Sequence, residues 1–353
     1  MIDLRSDTVT KPTFNMRERM FKSEVGDDVF EEDPTVIELQ ERVAAMFKKE
    51  DALFFPSGTM SNLTAILSWC NKRGTEVIVG DKSHIFLYEQ SGASQFGGIS
   101  FRTIHNLKDG TMDIQMIQNA IREDDIHEPT TGLICIENTH NVCGGTVLPL
   151  SFLQNLNILC DKYGIPIHLD GARIWNAITA LDIEPYDISK YVDSLTVCLS
   201  KGLGCPIGSL LIGKKDFIKN ARRLRKALGG GMRQVGIIAA AGLQALDDFE
   251  NKILVKDHIL TKKFAEGLLR IPYLTIDLSS VQTNIIFVTV QRDIHAEYIR
   301  EHLKEHNIFI SVWNKHLFRI VVHRDIQLND IQKVLNVLTK LQYALNYTDQ
   351  KEK

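Results

Sequence analysis

Short runs of β-branched and apolar residues alternate along this chain with longer segments in which apolar residues recur every three to four positions. From about residue 50, the runs EVIVGD (76–81), SFRTIH (100–105), GLICIEN (132–138), IPIHLD (165–170), SLTVCLS (194–200) and GSLLIGK (208–214) read as strands. Their near-continuous apolar character suits strands buried on both faces, as in a parallel sheet covered by helices. Helical patterns lie between them; over 150–163, Leu153, Leu156 and Leu159 share one face. After about residue 248 the pattern changes. A helix reads through 249–269, followed by the runs YLTIDL and NIIFVTV, a helix over 295–306, the runs FISVW and LFRIVVH, and a closing helix over 328–345. In that last helix Ile331, Val334, Leu335, Leu338 and Leu341 form one apolar stripe. The expected fold class is α/β. A three-layer, mostly parallel sheet domain with an amino-terminal arm spans 1–248, a smaller α+β domain spans 249–347, and a polar tail covers 348–353.

Composition adds limits. The chain has 353 residues, 44% hydrophobic and 24% charged, enough to build two cores. Its formal charge is 41 − 44 = −3, so no global field draws it to nucleic acid or an anionic membrane. The main basic cluster, Arg222, Arg223, Arg225 and Lys226, reads as a solvated helix face. The six cysteines show no CxxC spacing and several sit in apolar runs, which points to reduced, buried thiols, a cytoplasmic setting and no metal site. The most apolar stretch, 235–246, is too short for the roughly 20 residues of a bilayer-spanning helix, and the charged amino terminus lacks a signal-peptide core.

Three segments carry candidate chemistry. PSGTMSN (56–62) puts Gly58 and Thr59 directly before an apolar-periodic helix, where free backbone N–H groups make a phosphate cup. On its own it reads more readily as a plain helix cap. HLDGAR (168–173) places Asp170 at a strand end, with Arg173 close behind. SLTVCLSKGLG (194–204) places Lys201 just past another strand, beside Ser200 and two glycines. A lysine there faces a cleft, where desolvation and nearby cations lower its pKa and make it a nucleophile toward carbonyls. A phosphate cup, a carboxylate for a pyridinium nitrogen and a lysine for an aldehyde are together what pyridoxal 5'-phosphate requires.

The chain resembles the low-specificity L-threonine aldolases, within the aspartate-aminotransferase-like group of pyridoxal-phosphate enzymes. The likeness runs through MIDLRSDTVTKP, VGDDVFEEDPTV, PSGTMSN, DKSHIFLYE, DDIH, ENTHN, HLDGARIWNA, CLSKGLGCPIGSLL, RKALGGGMRQ and FRIVVH. It implies that Lys201 bonds the cofactor aldehyde, Asp170 holds the pyridine nitrogen protonated, and Gly58 and Thr59 take the phosphate. It further implies that His84 stacks over the cofactor ring and that Ser200 and Arg173 lie in the cofactor pocket. Lys226 and Arg233 match cations that reach the phosphate from a neighbouring subunit, so a homo-oligomer is implied, a tetramer with a dimer as its catalytic unit. Ser6, Arg173 and Arg319 match groups that grip the substrate carboxylate. The implied reaction cleaves L-threonine or L-allo-threonine to glycine and acetaldehyde, with His84, His127 or a water they hold as base; His140 reads as structural. Another lyase or an aminotransferase of the same group shares the logic of Asp170 and Lys201, and a non-catalytic phosphate-binding module shares the cup alone.

Overall fold

The apolar runs pair into one seven-stranded sheet, described here from a computed structural model covering residues 1–291 and 293–349. Its strands are β1 (Asp51–Phe55), β2 (Thr75–Gly80), β3 (Ser100–Ile104), β4 (Thr130–Glu137), β5 (Ile167–Gly171), β6 (Ser194–Cys198) and β7 (Ser209–Gly213), in the order β1-β7-β6-β5-β4-β2-β3. Only β7 runs against its neighbours; the other six point one way. This is the expected mostly parallel α/β sheet, and β2, β5, β6 and β7 are buried along their whole length. The edge strand β1 was not among the expected runs. DALFF is short and follows a helix closely, but it pairs with β7 in register from Asp51 against Gly213 to Phe55 against Ser209.

Helices cover both faces. The helix Leu150–Tyr163 forms as its spacing predicts, with Leu153, Leu156 and Leu159 buried, and Gly164 ends it at φ 65°, a left-handed conformation that glycine adopts without strain. Full burial of each such leucine contributes roughly 1.5–3 kcal/mol. The expected helix over 249–269 is instead two helices. Gly236–Glu250 stops at Asn251, Lys252 takes a left-handed φ of 58°, and Ile253–Leu268 starts afresh. The expected solvated basic face also needs correcting. Arg225 is buried, donating to the Phe54 carbonyl at 2.6 Å and to Asp28 at 2.6 Å, and Arg222 pairs with Glu31.

A second sheet holds β8 (Leu274–Thr275), β9 (Ile285–Val290), β10 (Ser311–Asn314) and β11 (Leu317–Val321) in the antiparallel order β10-β11-β9-β8. Its apolar face packs against the helices Ile253–Leu268, Ala296–Glu305 and the stripe Ile331, Val334, Leu338 and Leu341. The amino-terminal arm packs into this second core, not the first. Ile2–Asp3 pairs in parallel with Ile308–Phe309, and Ile2 and Leu4 are buried there. The helix Ile253–Leu268 bridges the two cores, Leu254 lying in the first and Leu260 in the second. The closing helix extends over Leu328–Asp349, and the rest of the expected polar tail lies outside the described residues. Among the described residues no helix is long and apolar enough to cross a membrane.

Candidate active site

In a parallel sheet the strands' carboxyl ends share one edge, and the loops that leave them gather polar groups there. On this edge the chain collects Glu137 at the end of β4, Asp170 in β5, His84 just after β2 and Lys201 three residues after β6. Asp170 is buried. One of its oxygens accepts the Ala172 N–H at 3.0 Å, and the other has no partner in the protein. A buried carboxylate oxygen without a donor costs several kcal/mol, so this atom points to a ligand N–H. The Lys201 carbonyl accepts the Gly204 N–H and the Thr10 hydroxyl, both at 2.9 Å, which fixes the turn that presents its side chain. Its ammonium lies close enough to act on the Asp7 carboxylate and the Cys198 thiol.

The phosphate cup forms at the start of the helix Gly58–Trp69. Ser57 caps it by accepting the Met60 N–H at 3.2 Å, leaving the Gly58 and Thr59 N–H groups facing outward, with Thr59 exposed. A Cβ on Gly58 would stand 2.7 Å from the Cys198 sulfur, so only glycine lets the helix start approach β6 this closely. Ser200 sits half-buried between β6 and Lys201.

His84 is held from three sides. Its backbone N–H donates to Glu137 at 2.7 Å, its Nδ1 meets Glu89 at 2.9 Å, and its ring lies 5.6 Å from that of Tyr88. Burial disfavours the charged imidazole, but the Glu89 hydrogen bond and the charges of Asp170, Glu89 and Glu137 outweigh it and raise its pKa.

The three groups expected to grip a carboxylate converge, with partners the sequence did not reveal. Arg173 makes a two-pronged pair with the fully buried Asp7, both contacts at 2.7 Å, and its remaining Nη1 points toward Asn141 at 3.4 Å. Burial alone would raise the Asp7 carboxyl, yet the Arg173 guanidinium holds it well below the usual carboxylate range. Arg319, in β11, donates to Asn141 at 2.6 Å and to the Arg5 carbonyl at 3.0 Å, and stacks over Trp313. Burial and the neighbouring Arg173 push its pKa down to about 10. Ser6 stands beside Asp7 and caps a short turn by accepting the Thr8 N–H.

Three expected residues stay apart from this group within one chain. His127 is exposed and bonds only Asp125. It precedes Thr130, the amino-terminal end of β4, whereas Glu137 and Asp170 mark carboxyl ends. Eight residues of strand put these ends roughly 25 Å apart. Arg233 pairs with Asp27 on the surface, and Lys226 is exposed. Among the described residues neither bonds Gly58, Thr59, Asp170 or Lys201. His140 is buried; its backbone pairs with Thr146, its Nδ1 accepts the Cys143 N–H at 3.4 Å, and its Nε2 has no partner among the described residues.

The sequence profile named beta-eliminating lyase matches residues 3–292. The chain belongs to the beta-eliminating lyase family. Among curated members, it is 44% identical to the low-specificity L-threonine aldolase 1 of Arabidopsis thaliana, over 95% of this chain and 94% of that one. It is 43% identical to the low specificity L-threonine aldolase of Escherichia coli (strain K12), over 95% and 97%. Among solved structures, Leishmania major threonine aldolase superposes with a TM-score of 0.83 at 20% identity, covering 97% of this chain and 100% of that one. This last likeness establishes that the family fold extends over both sheets.

Residues bonded around this group that the sequence reading missed are Asp7, Glu89, Glu137 and Asn141, with Asn62 donating to Glu89 at 3.0 Å. Glu137 carried a usable signal, since it ends an apolar strand as Asp170 does. Asp7 and Asn141 lie within RSDTVT and ENTHN, segments already singled out. Glu89 follows His84 at a spacing of five, which no regular helix face shares.

Proposed function

We propose that this protein is a pyridoxal-phosphate-dependent L-threonine aldolase that cleaves L-threonine, L-allo-threonine and related β-hydroxy-α-amino acids to glycine and an aldehyde. The observation that carries the reading is the partnerless buried oxygen of Asp170 on the same sheet edge as Lys201. High identity over nearly the full length of the curated aldolases selects the reaction from those the cofactor permits.

The residues fit the cofactor. The Gly58 and Thr59 N–H groups would receive its phosphate, the free Asp170 oxygen would accept its ring N–H, and the Lys201 amine would hold its aldehyde. When bound, the cofactor supplies the electron sink that lets a bond at the amino acid's Cα break. The protein decides which bond. Arg319, Ser6 and the open Nη1 of Arg173 take the substrate carboxylate, and a fixed carboxylate plane sets the orientation of Cα. His84 presents its Nε2 to the β-hydroxyl and accepts its proton as the aldehyde departs. Once a proton is restored at Cα, the Lys201 amine would take back the place that glycine leaves.

Lys226, Arg233 and His127 lie exposed and apart from the strand-end group of their own subunit, which supports a homo-oligomer, a dimer paired into a tetramer, in which they complete a neighbour's site. The two cores support a cofactor domain and a smaller carboxyl-terminal domain dividing near residue 248, with the arm swung onto the latter. All six cysteines are free, as in a cytoplasmic protein. Incubation with L-threonine and L-allo-threonine is expected to release acetaldehyde and glycine. Appearance of a keto acid and ammonia instead would assign the site to another lyase or to an aminotransferase.

A further inference from the structure

Behind His84 a chain of buried side chains crosses the sheet, and its hydrogen-bond directions are fixed by what each group can donate. The Trp69 indole N–H donates to the Ser194 hydroxyl at 2.9 Å, and an indole nitrogen has no other option. The Ser194 hydroxyl stands 3.0 Å from His168 Nδ1, and His168 Nε2 stands 3.1 Å from the Asn62 side-chain oxygen. Asn62 then offers its amide N–H to Glu89 Oε1 at 3.0 Å. The oxygen that receives Asn62 is the one that meets His84 Nδ1 at 2.9 Å. His168 and Asn62 are almost wholly buried, and Glu89 is close to it. With Asn62 donating to a carboxylate, its oxygen faces His168 Nε2, so that nitrogen carries the proton and Nδ1 accepts from Ser194; the opposite tautomer would turn the Asn62 oxygen against Glu89. Every link therefore donates toward Glu89, which is the terminal acceptor.

We propose that Glu89 is a positioning residue: a carboxylate, held by the Asn62–His168–Ser194–Trp69 chain, that keeps the His84 proton on Nδ1 and leaves Nε2 as the proton acceptor facing the substrate. A carboxylate fixing an imidazole tautomer while raising its basicity is a general device of acid–base sites. Here it requires a full negative charge next to another. Glu89 and Asp170 face each other as well as His84; burial and the Asp170 charge raise the Glu89 pKa, and the donors His84 and Asn62 work against that rise to favour the carboxylate. The charged and titratable groups around the pair are Asp170 from β5, Glu137 and Cys135 from β4, and Tyr88 beside His84. None of these takes the Nδ1 position.

The inference rests on the aldolase reading for the task of Nε2, but the pair itself is measurable without turnover. Glu89→Gln keeps the shape and an acceptor oxygen while removing the charge. In the holoenzyme with labelled histidine, NMR is expected to show the His84 pKa lower by about one unit or more. The acid limb of kcat/KM for L-threonine moves to lower pH by the same amount. Asn62→Ala, altered behind Glu89 and away from the cleft, moves both in the same direction by less, and stands in if Glu89→Gln does not fold. An unmoved His84 pKa in both variants overturns the proposal, as does a shifted His84 pKa with an unmoved acid limb. If the wild-type enzyme releases no acetaldehyde, the aldolase reading fails while the NMR measurement still judges the pair.

Discussion

Two groups of residues were expected at one site, and the fold treats them oppositely. Asp170, His84, Arg173, Arg319 and Lys201 are gathered at the strand ends, and the first four are held by named partners at hydrogen-bond distance. Arg233, Lys226 and His127 lie exposed, two of them tied only to nearby surface carboxylates. On the proposed function, a single chain would build the cofactor's ring and aldehyde site and the carboxylate grip, and another copy would supply the far side of the phosphate. The contrast also separates two kinds of evidence. A buried group must be satisfied where it stands, so its partner or its lack of one is informative. An exposed cation satisfied by water says little until a second surface meets it.

The most severe way to break the buried half is Lys201→Ala. Loss of the amine is expected to abolish both turnover and the visible absorbance of lysine-bound pyridoxal phosphate, while circular dichroism stays unchanged. Turnover near the wild-type rate would show that another residue bonds the cofactor.

Asp257 sharpens the comparison from within the buried half, because it is a buried carboxyl for which the family's chemistry has no use. It is fully buried in the helix that bridges the cores, neither oxygen has a partner, and burial pushes its pKa up to about 7. An unfolded aspartate titrates near 3.8. The native state therefore binds the proton more tightly than the unfolded chain. Stability from this group is complete below about pH 4, falls as pH rises through about 7, and is flat above; the loss is up to about 4 kcal/mol. Denaturant titrations at pH 5 and pH 8 should show a markedly smaller pH dependence for Asp257→Asn. Identical slopes in variant and wild type would mean that the carboxyl has found a partner, such as a buried water.

Next in size is Asp170→Asn. If Asp170 faces the cofactor's ring nitrogen as proposed, removing its charge should cost about 3 kcal/mol, or roughly 10²-fold in cofactor affinity. Equilibrium dialysis of the cofactor measures it. Affinity unchanged from wild type would mean that the partnerless oxygen faces something other than the ring.

Much of the buried half was legible in the sequence, and the reason is geometric. A parallel strand announces itself as a short apolar run, and whatever polar residue ends it must lie at the sheet's carboxyl edge, as Asp170 and Lys201 do. The Gly58 helix start was legible because Pro-Ser-Gly-Thr before an apolar helix marks a cap, and Asp170 and Lys201 at two strand ends turned that cap into a phosphate cup. What escaped depends on contacts between distant segments. Asp7 meets Arg173 across 166 positions, and Arg319 meets Asn141 across 178. No local pattern records such a meeting. The break at Lys252 escaped for a different reason: LDDFENKILVK keeps an acceptable helical composition, and tertiary packing of two cores decides where the axis turns. Strand β1 was lost because five residues between a helix and the cup give too short a window for periodicity to show.

The exposed half is tested by Arg233→Ala, which should have the smallest effect on the isolated subunit. Among the described residues its side chain pairs with Asp27 alone, at the surface, so its loss should leave the melting temperature of cofactor-free protein unchanged. If Arg233 completes a neighbour's phosphate site, cofactor dissociation should quicken by roughly tenfold, the loss of one charge-assisted contact of about 1.4 kcal/mol. The added sign of a shared site is complementation. Mixing Arg233→Ala subunits with inactive Lys201→Ala subunits creates hybrids in which the intact lysine and an intact arginine face each other across the interface. Activity then rises above that of either parent. If mixing yields no gain although hybrids form, the arginine serves its own subunit, and the division between what one chain builds and what it borrows must be redrawn.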